Sequence, residues 1–361
     1  MFDCLVIGAG HCGLLCGKLL TQSGLSYLIV DRGALVGDVW RHRPKNLRLF
    51  TSRQFCKLDD VALNGDPEGY PSADEFADYM ATFASRNKLK LQLETSIVNL
   101  TKAGDVFIAT TQTGQTIHAK TVINATGANQ ISFVPSFAKN LHADIHQIQC
   151  SEYVDDSSIP KNARVVVCGD GATGRQIAAQ LSSKHQVTLA CGRVRKLVPN
   201  RIAGHDIFWW LHKIGFLYAD SQSLIAKILK KRDPIPVAYA KNSALIRSGV
   251  DIKPRAVNAD LNNVIFMDDT SVSADVVVWC VGYKENVSWL QLPGIKSVDD
   301  LTSKKGITPE PGFFVVGRKW LSCRASELIL GADRDATRVV NFVQEYFTPA
   351  ADAVQEGYQS L

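Results

Sequence analysis

No Cys-x-x-Cys occurs in this chain, and its nine cysteines are scattered singly, the nearest two being Cys12 and Cys16. That pattern excludes a disulfide framework, argues against a zinc cluster or a dithiol redox centre, and suits a reducing compartment. No metal site is expected. No apolar run reaches the roughly 18 residues of a membrane span. The start, Met1-Phe2-Asp3-Cys4-Leu5-Val6-Ile7, lacks the basic flank of a secretory leader and reads as a buried first strand. A cytoplasmic location is the expectation. The charge excess is only +5, with no basic block dense enough for nucleic acid.

Hydrophobic residues at 46% and charged residues at 21% are globular values, and 361 residues suffice for two domains. The apolar run Cys4 to Ile7 stops at Gly8-x-Gly10-x-x-Gly13, followed by a helical stretch, Leu14 to Gln22, and a strand, Tyr27 to Val30, ending in Asp31. Each part has a mechanical role in dinucleotide binding. The first glycine makes the turn, the second admits the pyrophosphate, and the third lets helix pack on strand. An acid about 20 residues on bonds the ribose hydroxyls. The same grammar recurs at Arg164 to Cys168, Gly169-x-Gly171-x-x-Gly174, a helix over about Thr173 to Ser183, and a strand, Val187 to Ala190. There the acid is missing; Cys191-Gly192 is followed by Arg193, Arg195 and Lys196. Guanidinium groups in place of a carboxylate favour a 2′-phosphate, hence NADPH over NADH.

Two strands end in small residues that let the chain cross close to a ligand: Thr121 through Thr126-Gly127, and Asp275 to Val278 leading into Cys280-Val281-Gly282. Pro71-Ser72-Ala73-Asp74-Glu75 is a capping box that starts a helix running to about Phe83. Gly312 to Gly317 reads as a strand, and Ala332 to Tyr346 as a helix whose N-terminus would favour an anionic ring.

Two nucleotide folds in this order resemble the two-dinucleotide-binding-domain flavoproteins, and within them the class B flavin-dependent monooxygenases: flavin-containing monooxygenases, YUCCA-type enzymes and smaller bacterial relatives. Further residues carry the likeness along nearly the whole chain. They are Gly37-Asp38-Val39-Trp40-Arg41, Asn46-Leu47-Arg48-Leu49-Phe50-Thr51, Tyr70-Pro71, the Pro199-x-Arg201-x-x-Gly204-x-Asp206 run, and Gly317-x-x-Trp320 through Ser326 and Asp335. The resemblance implies an α/β fold of two Rossmann-like domains, the NADPH domain inserted in the FAD domain, with boundaries at 1–150, 151–273 and 274–361. It implies FAD held by Gly8, Gly10, Gly13, Asp31, Arg32, Trp40, Arg48, Thr126, Gly127, Gly317 and Ser326. NADPH is held by Gly169, Gly171, Gly174, Arg193 and Arg195. It further implies that NADPH reduces FAD and that O₂ adds to give a peroxyflavin, which oxygenates a small amine, sulfide or ketone. Phe50 and Ser52 would line the substrate's route, and a homodimer is left open.

The chain departs from the family pattern at several points. Asp38 stands for a glycine. In the fingerprint spanning Ala143 to Tyr153, Tyr153 is kept, but Ile145 replaces glycine, Gln149 replaces histidine and Cys150 replaces serine. Gln149, or His146 three residues earlier, would take the histidine's role. The second linker has Cys280-Val281-Gly282 for Ala-Thr-Gly, and Phe50 stands where larger members carry an Asn. A flavin oxidase or diaphorase without oxygen transfer therefore stays open, as does a non-catalytic flavoprotein. A disulfide reductase on the same scaffold is disfavoured by the lack of a thiol pair.

Overall fold

The computed structural model describes residues 1–193, 197–232, 235–236, 240–301 and 304–348. The chain divides into two compact units, one built from 1–36, 82–127 and the described residues from 287 on, the other from 37–81 and 128–286. The first is organised on a seven-stranded sheet, of which β1 (Phe2–Ile7), β2 (Tyr27–Val30), β3 (Leu91–Gln92), β4 (Ile97–Ala103), β5 (Val106–Thr111) and β6 (Thr116–Asn124) lie in the order β3-β2-β1-β6-β5-β4. β1 runs parallel to β2 and β6, with Ile7 opposite both Val30 and Asn124. The nine-residue β6 serves two partners. Thr116–Ala119 pairs antiparallel with β5, and Val122–Asn124 parallel with Phe313–Val315. Cys4–Ile7 is buried on both faces, which is why it reads as a continuous apolar run rather than an alternation. Helix α1 (His11–Gln22) packs on this sheet beside the helix Ile329–Phe347, which begins three residues before the expected Ala332.

The second unit holds α2 (Asp38–Arg41), the first nine residues of α3 (Ala73–Arg86), β7 (Ile131–Ser132), β8 (His146–Gln149), β9 (Arg164–Cys168), α4 (Ala172–Leu181) and β10 (Gln186–Ala190). An all-parallel sheet takes the order Asp251–Lys253, β10, β9, Val276–Trp279, β8. Its central valines alternate between faces as a pleat demands. Val165, Val167, Val276 and Val278 enter one apolar cluster, and Val166, Cys168, Val277 and Trp279 the other. The capping box at α3 forms as expected. Ser72 N donates to Glu75 Oε2 at 2.6 Å and Glu75 N to Ser72 Oγ at 3.1 Å.

The units do not follow the expected boundaries at 150 and 273. β8 and Val276–Trp279 are ladder neighbours, and the latter also pairs with β9, so both flanks belong to the second sheet. Residues 37–81 are also tied to this unit, through Lys45 Nζ on Asp155 at 2.6 Å and Arg48 N on Gln176 at 3.3 Å. Among the described residues no helix is long and apolar enough to cross a membrane.

Candidate dinucleotide sites

At the end of β1 the three glycines do three different things. Gly8 has φ +111°, and a Cβ there would lie 2.6 Å from the Ala125 carbonyl oxygen. A Cβ at Gly13 would lie 1.9 Å from the Gly8 oxygen, so α1 can close on the strand only over glycine. A Cβ at Gly10 meets nothing within 4 Å. The middle position thus faces open space at a helix N-terminus, where unpaired amides and the helix dipole attract phosphate. Asp31 holds this loop: its Oδ2 accepts Ala9 N at 2.6 Å and its Oδ1 accepts Gly33 N at 2.8 Å. Each oxygen keeps a lone pair for a ribose hydroxyl. Behind the linker, Asn124 Oδ1 accepts both the amide (3.1 Å) and the hydroxyl (2.7 Å) of Thr126, and Gly127 takes φ +70°.

The second loop repeats this geometry. Gly169 has φ +107°, its Cβ would lie 2.2 Å from the Cys280 oxygen, and a Cβ at Gly174 would lie 2.0 Å from the Gly169 oxygen. At Gly171 nothing stands within 4 Å. Asp170 Oδ1 accepts Gly192 N at 3.0 Å, while Arg175, almost wholly buried, places Nη2 3.4 Å from Asp170 Oδ2. Arg193 is exposed just beyond the strand end. Arg195 and Lys196 lie outside the described residues.

Both cradles therefore fit a dinucleotide: the two glycines that pack cannot bear a side chain, and the one that faces outward leaves room. His11 adds a third mark to the first loop. It opens α1, its Nε2 is buried without a hydrogen-bond partner among the described residues, and burial lowers its pKa to about 4. Glycine spacing did not single it out. Cys12 beside it is no thiolate, since burial pushes its pKa well up.

Other expected site residues are placed as follows. Arg32 is exposed. Trp40 stands edge-on to Phe76 at 5.1 Å, and the exposed Arg48 donates to the Tyr70 carbonyl at 3.1 Å. Gly317, at φ +73°, lies against Cys12, where a Cβ would come 3.0 Å from Sγ. Ser326 is fully buried, and its hydroxyl oxygen accepts the amides of Ser322 and Cys323 at 3.0 and 3.1 Å. Its visible work is to shape the turn before the C-terminal helix, whose Asp335 accepts the Ser322 hydroxyl.

In the second unit Phe50 is half-buried and packs against Phe208, with ring centroids 5.8 Å apart and planes tilted by 32°. Ser52 is fully buried; its amide donates to Asp206 Oδ2 at 2.6 Å, and its hydroxyl accepts Gln54 Nε2 at 3.2 Å. Asp206 also accepts Phe208 N at 2.8 Å, which caps the helix Ile207–Lys213, and burial raises its pKa. Glu68 completes this group by accepting Gln54 Nε2 at 2.9 Å and Asp206 N at 3.3 Å, with His205 Nδ1 3.1 Å away. The Pro199-to-Asp206 run is thus tied by polar bonds to residues 50–70, and Glu68 was not legible as its partner. Tyr153 is buried. It packs among Ile148, Val165 and Val276 in the apolar cluster, where burial pushes its phenol up to about 12. Gln149 ends β8 and donates to Glu152 at 3.4 Å, whereas His146 is exposed. Cys150 and Cys280, far apart in sequence, are brought onto neighbouring strands, each following an end of the ladder pair Gln149–Trp279.

Two phosphate cradles of one design, the first with an acid at its strand end and the second with Gly192-Arg193, define a flavoprotein oxidoreductase that takes two dinucleotides. Known proteins agree with this class. The family model described as pyridine nucleotide-disulphide oxidoreductase matches residues 5–197. The "Uncharacterized oxidoreductase CzcO-like" of Geobacillus kaustophilus is 36% identical over 342 residues, 94% of this chain and 97% of that one. The "Probable indole-3-pyruvate monooxygenase YUCCA9" of Arabidopsis thaliana is 24% identical, covering 85% and 80%. A flavin-containing monooxygenase from Stenotrophomonas maltophilia shares the fold, with a TM-score of 0.79 at 22% identity over 96% of this chain and 99% of that one. The chain belongs to the pyridine nucleotide-disulphide oxidoreductase family.

Proposed function

We propose that the chain is an NADPH-driven monooxygenase that places one atom of O₂ on a small substrate, a nucleophilic amine or sulfide or an electrophilic ketone, and releases the other as water. FAD and NADPH supply the redox and oxygen chemistry when bound; the chain binds, orients and shields them. The observation that carries this reading is the repeated cradle, open at Gly10 and Gly171, with a carboxylate at one strand end and a guanidinium at the other. Asp31 bonds the ribose of FAD, and the amides opening α1 and α4 receive the two pyrophosphates. Arg193 reads the 2′-phosphate of NADPH, and Phe50 and Ser52 lie on the substrate's route. The nine free cysteines accord with a cytoplasmic setting.

A second reading, an NADPH oxidase or diaphorase without oxygen transfer, is favoured by one feature. Gln149 occupies the place of the family's histidine and bonds Glu152. Rapid mixing of the reduced protein with oxygen in the presence of NADP⁺ separates the two. Monooxygenation requires a long-lived absorbing species distinct from both oxidised and reduced flavin. Immediate return of the oxidised spectrum with stoichiometric peroxide would overturn it in favour of the oxidase.

A further inference from the structure

Cys150 and Cys280 depart from the family pattern together, one replacing a serine and the other an alanine, and the fold makes them neighbours. β8 and Val276–Trp279 run parallel with Gln149 opposite Trp279. The next residue on each strand is a cysteine. Cys150 N donates to the Trp279 carbonyl at 3.0 Å, so the pairing continues past the strand ends. Adjacent strands lie about 4.8 Å apart, inside the roughly 4.4–6.8 Å Cα separation that a disulfide spans. Registered residues of parallel strands point to the same face.

The pair is asymmetric. The neighbouring Cys280 thiol is the main influence lowering the pKa of Cys150; burial opposes it, and Tyr283, Ser132 and the charge of Arg43 support it. Tyr283 Oη lies 3.3 Å from Cys150 Sγ, and Arg43 Nη1 donates to the same hydroxyl at 3.3 Å. Cys280 shifts the opposite way, through Cys150 and burial. The first thiol has the character of an attacking thiolate and the second of a resolving thiol.

We propose that Cys150 and Cys280 form a peroxide-sensitive pair whose closure to a disulfide weakens NADPH binding at the second glycine loop. The Cys150 thiolate attacks hydrogen peroxide, breaking the O–O bond; with one proton taken up, it becomes a sulfenic acid and one water leaves. The Cys280 thiol then attacks that sulfur, expelling a second water and closing the S–S bond. The two sulfurs are oxidised, and the peroxide is reduced to two waters. The link to the cofactor site is direct contact. Cys280 contributes the carbonyl that crowds Gly169, and its Cβ would lie 3.2 Å from one at Gly174. A bridge that turns Cys280 toward Cys150 pulls on the backbone that seats the loop.

The test treats the FAD-bound protein with stoichiometric hydrogen peroxide, blocks remaining thiols, and maps peptides by mass spectrometry alongside NADPH-dependent flavin reduction. The expected result is a Cys150–Cys280 cross-link and a roughly tenfold rise in the KM for NADPH, both reversed by dithiothreitol. In Cys280→Ser, oxidation stops at a dimedone-reactive sulfenic acid on Cys150; Cys150→Ser leaves Cys280 alkylatable and the KM unmoved by peroxide. Should either variant fail to fold, the wild-type map and KM decide alone. Both cysteines alkylated after peroxide, a bridge to any other cysteine, or a cross-link with unchanged KM would each overturn the proposal. None of these readouts depends on oxygen transfer.

Discussion

Asp170 accepts the backbone N–H of Gly192 at 3.0 Å, and this is the bond between Ala9 and Asp31 with donor and acceptor exchanged. Ala9 and Asp170 are the second residues of the two glycine loops, while Asp31 and Cys191 each follow the second strand of their fold. The acid that staples loop to strand has moved from the strand end into the loop. The second fold keeps its staple and frees its strand end of a carboxylate. The charge so relocated is met by the buried Arg175. A 2′-phosphate bound at Gly192-Arg193, as proposed above, would face a compensated acid.

The unequal roles of the glycines predict unequal consequences of adding one methyl group. Gly10→Ala should fold normally and purify without flavin, because its Cβ enters the phosphate's space alone. Gly171→Ala should keep its flavin and raise the KM for NADPH. Gly13→Ala and Gly174→Ala drive a Cβ onto a carbonyl and should lose upwards of about 3 kcal/mol of stability. Flavin absorbance per chain and denaturant midpoints check all four. Flavin retained in Gly10→Ala would remove the first cradle from FAD.

Arg193→Ala should raise the KM for NADPH roughly tenfold and leave NADH nearly unchanged, as loss of a charge-assisted contact to phosphate requires. Flavin reduction with each nucleotide measures it. Equal losses with both would mean that the guanidinium does not read the 2′-phosphate.

His11 gives a pH prediction. Its pKa falls from the ordinary 6.5 to about 4 on folding, so as pH drops the unfolded chain takes up the proton first. Stability is unaffected above pH 6.5, falls between 6.5 and 4, and loses at most about 3 kcal/mol by the end of that window. His11→Gln should flatten this acid limb. Urea unfolding of wild type and variant at pH about 7 and about 4.5 compares the two. Identical losses would mean that His11 protonates freely in the folded protein.

Asp206→Ala leaves the amides of Ser52 and Phe208 buried without their acceptor and should cost roughly 2–4 kcal/mol. Ser52→Ala removes only the hydroxyl that accepts Gln54 and should cost well under half of that. The denaturant midpoint at constant slope measures both. The same pair tests the site. A Ser52→Ala protein with full stability and unchanged turnover would strike Ser52 from the substrate's route.

What the sequence disclosed was local. The turn at Gly8, the strand Tyr27–Val30 and the box at Ser72 and Glu75 are each decided within a few residues, and they stand where periodicity and spacing put them. The helix Ile329–Phe347 was found three residues short, because nothing in its first turn caps it with a side chain. Glu68 meets His205 across 137 positions, and Cys150 meets Cys280 because β8 joins the sheet beyond Val276–Trp279. Strand order is set by packing over the whole unit, so no window of sequence carries it. The burial of Tyr153 was illegible for a related reason: a tyrosine kept in a motif looks the same whether its ring faces a ligand or the core.

The contacts of Gly8 with Ala125 and of Gly169 with Cys280 make each phosphate loop a two-piece part. The strand that returns more than a hundred residues later supplies the wall against which the first glycine turns. A cofactor site transplanted as a contiguous segment, 4–31 or 164–193, would arrive without that wall. Redesign of nucleotide preference has to carry 121–127 or 276–282 along with it.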